Sequence, residues 1–348
     1  TDLNYSQAAN LYQLKFLKLI KPALAISIIP LFINKNKFFS YSKYDVNFIN
    51  KYTLKIRPNF LNNLCRVFVN SFHSLKLIMK SDIKPVWFYN IDITTVFIAL
   101  FLMLFTSKKV NILIADYSFS PFNLLSILVS IVIKMSSAAI VWNSLIIHKN
   151  RVVLPDILDS SVIKLNKSDT IQPKILFSGS LGKTTGFEHA LSFFSKFNNY
   201  QFIITGKPYH YAENEFQLLI DKYVVPSNNI TYHGLVSLDE YYDIIDTVDI
   251  ALSFRDPDDP QHDGNFPSKI LEYLSFSKFV LSTKKYNDID PNLYFYTSYD
   301  FDSINETLIK ILKLSKIEVS KKKELIYDIL IRDHSEKALI NAVKLLSK

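Results

Sequence analysis

Residues 174–197, KILFSGSLGKTTGFEHALSFFSKF, run from a short apolar strand through a glycine-bearing turn into an amphipathic helix. Lys174–Phe177 has strand character, and Phe187–Phe197 spaces its apolar side chains at helical intervals. Thr185 and Glu188 have the spacing of a capping box at the helix start. The run Gly182-Lys183-Thr184 invites comparison with a phosphate-binding P-loop, which needs a glycine five residues before Gly182; that residue is Phe177, so an ATPase is excluded on spacing. What remains is a turn at Gly179 and Ser180 with Lys183 nearby. Two readings stand: a diphosphate cradle of backbone N–H groups and one point charge, or a purely structural turn.

The alternation continues on both sides. Downstream come strand Gln201–Thr205, a helix near Glu213–Lys222, strand Ile230–Tyr232 and helix Leu238–Ile245, the last opened by a second capping box, Ser237 with Glu240. Strand Asp249–Ser253, a helix beginning at Pro267 and strand Phe279–Ser282 complete this half, and Ser303–Lys348 reads as helices with basic, solvated faces. Upstream, Thr1–Ile20 reads as a helix, and Ala23–Leu31, Val86–Tyr89, Val110–Ala115 and Ala138–Trp142 as strands. Strands alternating with helix-length stretches predict α/β architecture with parallel sheets. Leu154–Pro173 is polar, lacks a period and is bracketed by prolines, which marks a linker between a first domain, 1–160, and a second, 174–330.

At 348 residues and 49% hydrophobic content the chain can bury two cores. Cys65 is the single cysteine, so no intrachain disulfide forms and a cytoplasmic compartment is expected. The sequence starts at Thr1 without a basic-then-apolar leader, which predicts no secretory signal and a processed start. A net charge of +8 suits nucleic acid, an anionic membrane surface or phosphorylated substrates, but dispersed lysine and scarce arginine argue against nucleic acid. The apolar runs Val96–Phe105 and Leu124–Ile133 predict buried helices or a membrane-leaning surface rather than spans. His73, His148, His189 and His210 lack ligand spacing and read as structural.

All six glycines lie between Gly179 and Gly264, so phosphate-handling turns are expected only in the second half. Gly206-Lys207 and Tyr232-His233-Gly234 each follow a strand, at the carboxyl ends where open parallel sheets bind ligands. In NFPSKILEYL, 265–274, Pro267 suits the first helical position, with Asn265 and Phe266 leading in. Helical spacing puts Ser268, Lys269 and Glu272 on one face and Ile270, Leu271 and Leu274 on the other. Free amides and the positive dipole end there favour phosphate, and a carboxylate one turn in takes ribose hydroxyls; an ordinary surface helix is the alternative. Arg255, just past a strand, is a further phosphate candidate. Asp256-Pro257-Asp258 has the form of a metal-holding pair but belongs to a proline-rich acidic loop, so no metal cofactor is expected. Asp116 reads either as a residue orienting an acceptor hydroxyl or as a helix cap.

The ordered set of the Gly179 turn, Gly206, Tyr232-His233-Gly234, Asp249–Ser253 and Phe266–Leu274 resembles the nucleotide-binding half of family-4-like bacterial glycosyltransferases of the GT-B fold. The resemblance covers residues 174–283 by motif and the first half by architecture alone. It implies two Rossmann-like domains facing across a cleft, the donor nucleotide on the second and the acceptor on the first, with a C-terminal helix, 331–348, crossing back to the first domain. Glu272 matches the glutamate that binds the donor ribose, and Phe266–Lys269 match the segment that meets the diphosphate and sugar. Two positions depart from the family pattern. An acid eight residues before Glu272 is replaced by Gly264, and the usual positive charges after the first glycine are replaced by Ser180 and Thr185, leaving Lys183, Arg255 and Lys269 to supply them.

The resulting expectation is a retaining hexosyltransferase, cytoplasmic and peripheral to the inner membrane. It would move a sugar from a nucleotide diphosphate donor to a lipid-linked or oligosaccharide acceptor in bacterial O-antigen or capsule synthesis, with Asp116, Lys269 and Glu272 at the reacting centre. Two rival readings are a sugar-nucleotide epimerase or hydrolase of the same fold, and a catalytically degenerate subunit of a glycan-assembly complex.

Overall fold

Strands that are apolar on both faces need helices over both, and this chain builds two such assemblies. The computed structural model describes residues 25–27, 39–43, 46–50, 60–81, 85–114, 124–142, 144–154, 156–158, 160–165, 170–258 and 268–346. The chain divides into two units, Thr1–Ile157 with Glu336–Lys348, and Leu158–Ser335. The expected helix Thr1–Ile20, most of the Ala23–Leu31 strand, Asp116, Gly264 and Asn265–Pro267 lie outside the described residues.

In the first unit, β1 (Ala25–Ser27) pairs in parallel with β3 (Val46–Asn50), which pairs antiparallel with β2 (Phe39–Lys43). After α1 (Phe60–Lys80) come β4 (Val86–Tyr89), α2 (Ile93–Phe105), β5 (Val110–Ile114), α3 (Leu124–Met135), β6 (Ala138–Val141) and β7 (Arg151–Val153). Strands β4 to β7 form a parallel sheet in chain order. Every residue of β5 and β6 is buried, as expected of a sheet covered on both sides. Asp92 and Thr95 form a capping box that opens α2. Helices α1, α2 and α3 pack side by side, and each leaves an apolar stripe outward: Phe68, Phe72 and Met79; Phe97, Phe101 and Phe105; Leu124, Ile127, Ile131 and Met135. Phe68 of α1 stacks on Phe97 of α2 at 6.0 Å. His148 is buried against Ser136, its Nε2 3.0 Å from the Ser136 carbonyl oxygen.

The second unit contains β8 (Lys174–Gly182), a 3₁₀ turn at Lys183–Thr185, α4 (Phe187–Lys196), β9 (Gln201–Tyr209), α5 (Glu213–Tyr223), β10 (Ile230–Tyr232), α6 (Leu238–Asp246) and β11 (Ile250–Ser253). Then follow α7 (Ser268–Ser275), β12 (Phe279–Ser282), β13 (Phe295–Tyr296), α8 (Phe301–Leu312) and α9 (Lys316–Asp333); α10 (Glu336–Leu346) returns to the first unit and packs on β6 and β7. The six strands form one parallel sheet, ordered β10-β9-β8-β11-β12-β13. Because the order runs outward in opposite directions from β8 and β11, right-handed crossovers place helices on opposite faces. The core between sheet and helices is strongly aromatic, with Phe194 stacked on Phe202 at 4.1 Å.

Two sequence expectations are corrected here. β8 does not end at Phe177, nor β9 at Thr205; they run in register to Gly182 and Tyr209, with Gly179 opposite Gly206 and Ser180 opposite Lys207. Glycine reads as punctuation in a sequence, but here it lets two backbones continue together. Thr185 is not a helix cap either: its hydroxyl accepts from Gly182 N–H at 3.0 Å and donates to the Gly182 carbonyl at 2.8 Å, while Gly186 is the residue preceding α4. The Ser237–Glu240 capping box is present at α6. Part of the expected linker is also structured, since Leu158 N–H donates to His334 O and Lys164 N–H to Ser275 O, both at 2.7 Å.

A Cβ on Gly206 would stand 1.9 Å from the Gly179 carbonyl oxygen, whereas one on Gly234 (φ +71°) would meet nothing within 4 Å. Gly206→Ala is therefore expected to destabilise the protein by about 3 kcal/mol or more and Gly234→Ala by only about 1 kcal/mol. Urea unfolding followed by circular dichroism measures both, and equal costs would contradict the close approach of β8 and β9.

Candidate functional site

An open parallel sheet leaves a crevice at the carboxyl ends of its strands where the order reverses. In the second unit that point lies between β8 and β11. Gly206 N–H donates to the Gly234 carbonyl at 2.8 Å, Thr205 Oγ1 donates to the same oxygen at 3.0 Å, and the Tyr232 hydroxyl donates to the Gly206 carbonyl at 3.2 Å. With the Gly179–Gly206 pairing, these bonds join Gly179, Ser180, Gly206, Lys207 and Gly234 into one continuous edge. His233 sits within it, its N–H bound to Ile204 O at 2.9 Å and its side chain exposed. Three side-chain-free positions in a row make a surface that a ligand can approach closely.

Helix α7 delivers charge to this edge. Its residues Ile270, Leu271 and Leu274 are buried in the core, which turns Ser268, Lys269 and Glu272 to the partly exposed face, as helical spacing predicts. Lys269 Cε lies 3.4 Å from where a Gly179 Cβ would be, and Lys269 Nζ is 2.8 Å from a Glu272 carboxylate oxygen. Burial opposes the ammonium, but the Glu272 carboxylate beside it outweighs that and holds the Lys269 pKa above the ordinary lysine value. The group is a permanent cation.

Three residues that sequence reasoning did not single out complete the arrangement. Ser178, one residue before Gly179, has its Oγ 2.9 Å from the Tyr273 hydroxyl, donates its backbone N–H to the same hydroxyl at 3.1 Å, and donates Oγ–H to the Tyr241 hydroxyl at 3.3 Å. Lys269 Nζ lies 4.8 Å from the centroid of the Tyr241 ring. Burial first, then the charge of Glu272, pushes the Tyr241 phenol up, and burial does the same for Tyr273, so both stay protonated. Nothing in the local runs LDEYYD and LEYL distinguishes these tyrosines from core residues; only the folded chain brings them to Ser178.

The other expected cations are placed differently. Lys183 turns to Glu215 of α5 in a close ion pair and lies over the Tyr211 ring at 5.7 Å, while Tyr211 donates its hydroxyl hydrogen to Glu188 at 2.9 Å. The hydrogen bond raises the Lys183 pKa and lowers that of Glu215. Arg255 follows β11, across the reversal point from β8. Its N–H donates to Thr283 Oγ1 at 2.8 Å, and that hydroxyl donates back to the Arg255 carbonyl at 2.7 Å. Asp116, Asn265, Phe266 and Pro267 lie outside the described residues. Among the described residues no group of three or more His, Cys, Asp or Glu side chains is arranged to hold a metal. A cavity of about 780 Å³ lined by Lys174, Tyr200, Gln201, Tyr223 and Asn229 lies at the opposite, amino edge of the sheet and takes no part in this site. One cation, one carboxylate and exposed backbone suit an anionic ligand that also carries hydroxyls.

No protein-family model and no curated protein sequence matches the chain. Solved structures do. Sucrose-phosphate synthase from Thermosynechococcus elongatus aligns with TM-score 0.71 at 10% identity, over 97% of this chain and 92% of that one. The α,α-trehalose-phosphate synthase (UDP-forming) of Burkholderia xenovorans, in complex with glucose-6-phosphate, aligns with TM-score 0.67 at 10% identity over 96% of both chains. Anabaena HepE, in complex with UDP and glucose, aligns with TM-score 0.68 at 11% identity over 100% and 98%. The chain thus has the α/β fold of GT-B glycosyltransferases.

Because the Lys269–Glu272 pair is only half-buried, Lys269→Ala is expected to change stability by about 1 kcal/mol or less. Pyrophosphate binding, measured by calorimetry, is expected to fall by about tenfold or more through loss of the charge-assisted contact. Undiminished binding would remove Lys269 from the site.

Proposed function

We propose that the protein is a glycosyltransferase that binds a nucleotide diphosphate sugar on its second unit and transfers the sugar, with retention, to a glycan or lipid-linked acceptor in bacterial surface-glycan synthesis. One observation carries the reading: in a GT-B fold, the glycine edge of β8, β9 and β10 and the Lys269–Glu272 face of α7 converge at the reversal point of the sheet. The backbone amides and Lys269 serve the diphosphate, with Arg255 across the reversal point, and Glu272 takes the ribose hydroxyls. In the transfer, the bond from the sugar anomeric carbon to the diphosphate oxygen breaks and a bond to the acceptor oxygen forms. The acceptor proton passes to the leaving phosphate oxygen, so catalysis rests on positioning and on stabilising the leaving group rather than on a protein base. Asp116 is assigned to orienting the acceptor hydroxyl, and no metal is invoked. Neighbouring folds support the donor class, since one was solved with UDP and glucose and another concerns glycosyl transfer with retention.

A membrane-bound acceptor is supported by the outward stripes on α1, α2 and α3, where Phe72 is 69% and Phe105 72% exposed. These helices contain no acidic residue, and Lys76, Lys80, Lys109 and Lys134 lie exposed on or beside them. An apolar aromatic surface rimmed by lysine suits the interface of an anionic bilayer. No described helix is long and apolar enough to cross a membrane.

A thermal-shift panel of uridine, guanosine and other nucleotide diphosphate sugars is expected to raise the melting temperature with one base class, because a ligand of the native state stabilises it. Silence across the panel would refute the assignment, and epimerisation or hydrolysis of the donor without an acceptor would replace transfer as the reaction. In co-sedimentation, the protein is expected to follow phosphatidylglycerol vesicles and not phosphatidylcholine ones. Phe68→Ser with Phe72→Ser is expected to weaken that association by about tenfold or more.

A further inference from the structure

Lys269 and Glu272 neutralise each other at 2.8 Å, yet the nucleotide-sugar reading, on which this inference rests, asks them for different work. One meets phosphate and the other ribose, so the pair must part when the donor binds. A lysine released from its partner regains its rotamer freedom, at a cost in side-chain entropy when it is fixed again on the ligand. Each therefore needs a second partner that the donor does not displace.

We propose that Tyr241 is that partner: a positioning residue that holds the Lys269 ammonium through its ring and the Glu272 carboxylate through its hydroxyl, coupling diphosphate recognition to ribose recognition. Tyr241 comes from α6, not from the helix that carries the pair, so it is fixed independently of them; it is only 8% exposed. Its ring centroid is 4.8 Å from Lys269 Nζ, within the range of a cation–π contact on a partly desolvated face. Its hydroxyl accepts from Ser178 Oγ at 3.3 Å and lies close enough to Glu272, the ion-pair partner of Lys269, for that carboxylate to help push the phenol up. Ser178 is in turn anchored by the Tyr273 hydroxyl at 2.9 Å and belongs to β8, one residue before Gly179. Tyr241 thus references both charged groups to the glycine edge where the diphosphate is read. Because the phenol stays protonated it can donate to a carboxylate and removes no proton, so its part is orientation and not acid–base chemistry.

The ring and the hydroxyl are separable by substitution. Binding is measured by calorimetry with the nucleoside diphosphate that gives the largest thermal shift, its monophosphate and its 2′,3′-dideoxy analogue. Tyr241→Phe keeps the ring, so the preference for diphosphate over monophosphate is expected to stay within about twofold of wild type. Loss of the hydroxyl to a charged partner is expected to cut the preference for ribose over dideoxyribose by about fivefold to tenfold. Tyr241→Leu is expected to lower both preferences, and combined with Lys269→Ala to have no further effect on the diphosphate preference. With the full donor, Tyr241→Phe is expected to raise KM while leaving kcat nearly unchanged, a split that a general loss of folding does not produce. Should Tyr241→Leu fail to fold, Ser178→Ala, which removes the anchor of the hydroxyl, is expected to shift the ribose preference in the direction of Tyr241→Phe. Unchanged preferences in Tyr241→Phe and Ser178→Ala, with normal wild-type binding, would overturn the role of Tyr241 alone. A wild-type chain that binds no nucleotide would overturn the nucleotide-sugar reading and this role with it.

Discussion

A strand residue whose Cβ would fall on a neighbouring strand's carbonyl oxygen has to be glycine, and Gly206 of β9 stands in that relation to Gly179 of β8. The carbonyl oxygen of Gly179 fills the space a Gly206 Cβ would need. Much of the second unit follows from this. β11 accompanies β8 only at Ile175 and Leu176, and β10 accompanies β9 only from Phe202 to Ile204, so the glycine contact lies beyond the paired ends of β10 and β11. The extension carries β8 to Gly182 and postpones the helix start to Phe187. It also leaves room above Gly179 for the Lys269 side chain to lie across the strand. A side chain at Gly206 would collide with the β8 backbone, and one at Gly179, strained at φ +115°, would press on the Lys269 side chain. The same absence of side chains therefore serves fold and site together.

Why some elements are legible in the sequence and others are not follows from the range of the forces involved. Val86–Tyr89, Ile230–Tyr232 and Phe279–Ser282 are short apolar runs between breakers, and each is a strand with those limits. Ser237 and Glu240 cap α6 because both partners lie within one turn. The far ends of β8 and β9 are illegible because a glycine's local meaning is a turn, and only the partner strand decides otherwise. Thr185 has the right spacing for a cap, yet its hydroxyl is taken by Gly182 in the preceding turn. For the site, helical periodicity was enough to put Lys269 and Glu272 on one face, whereas Tyr241 and Tyr273 reach Ser178 across 63 and 95 residues of sequence. No spacing rule covers such distances.

The placement of the cations sharpens the electrostatics of the site. Three positive side chains were expected to replace those missing at Ser180 and Thr185, but they are not equivalent. Lys183 and Glu215 form an exposed pair, and such pairs are held only weakly because water competes for both charges. Lys183 is thus tied to α5 only loosely and retains the freedom to turn. Lys269 sits half-buried over an aromatic ring beside the glycine edge, where the effective dielectric is lower and a charge counts for more. Arg255 has its main chain fixed on both sides by Thr283. The attraction for a diphosphate therefore rests first on Lys269, with Arg255 the more rigid of the other two.

The first unit poses a different physical question, because the inward faces of its helices already satisfy the sheet. On α2, Val96, Ala99 and Leu102 are buried against the core while Phe97, Phe101 and Phe105 point outward at intervals of four. Polar residues there would leave the core packing intact, so the outward phenylalanines are not explained by folding. A helix of 13 residues is about 20 Å long, short of the roughly 30 Å of hydrocarbon that a span requires. The longer α1 carries Lys76 and Lys80 as well as its exposed Phe68 and Phe72, which suits a helix at an interface better than one inside the hydrocarbon. Neighbouring stripes on α1 and α2, joined by the stack of Phe68 on Phe97, make a surface rather than isolated side chains. Such a surface lowers its free energy by lying along an apolar boundary with its lysines in the headgroup layer, which favours lying on a membrane over crossing one.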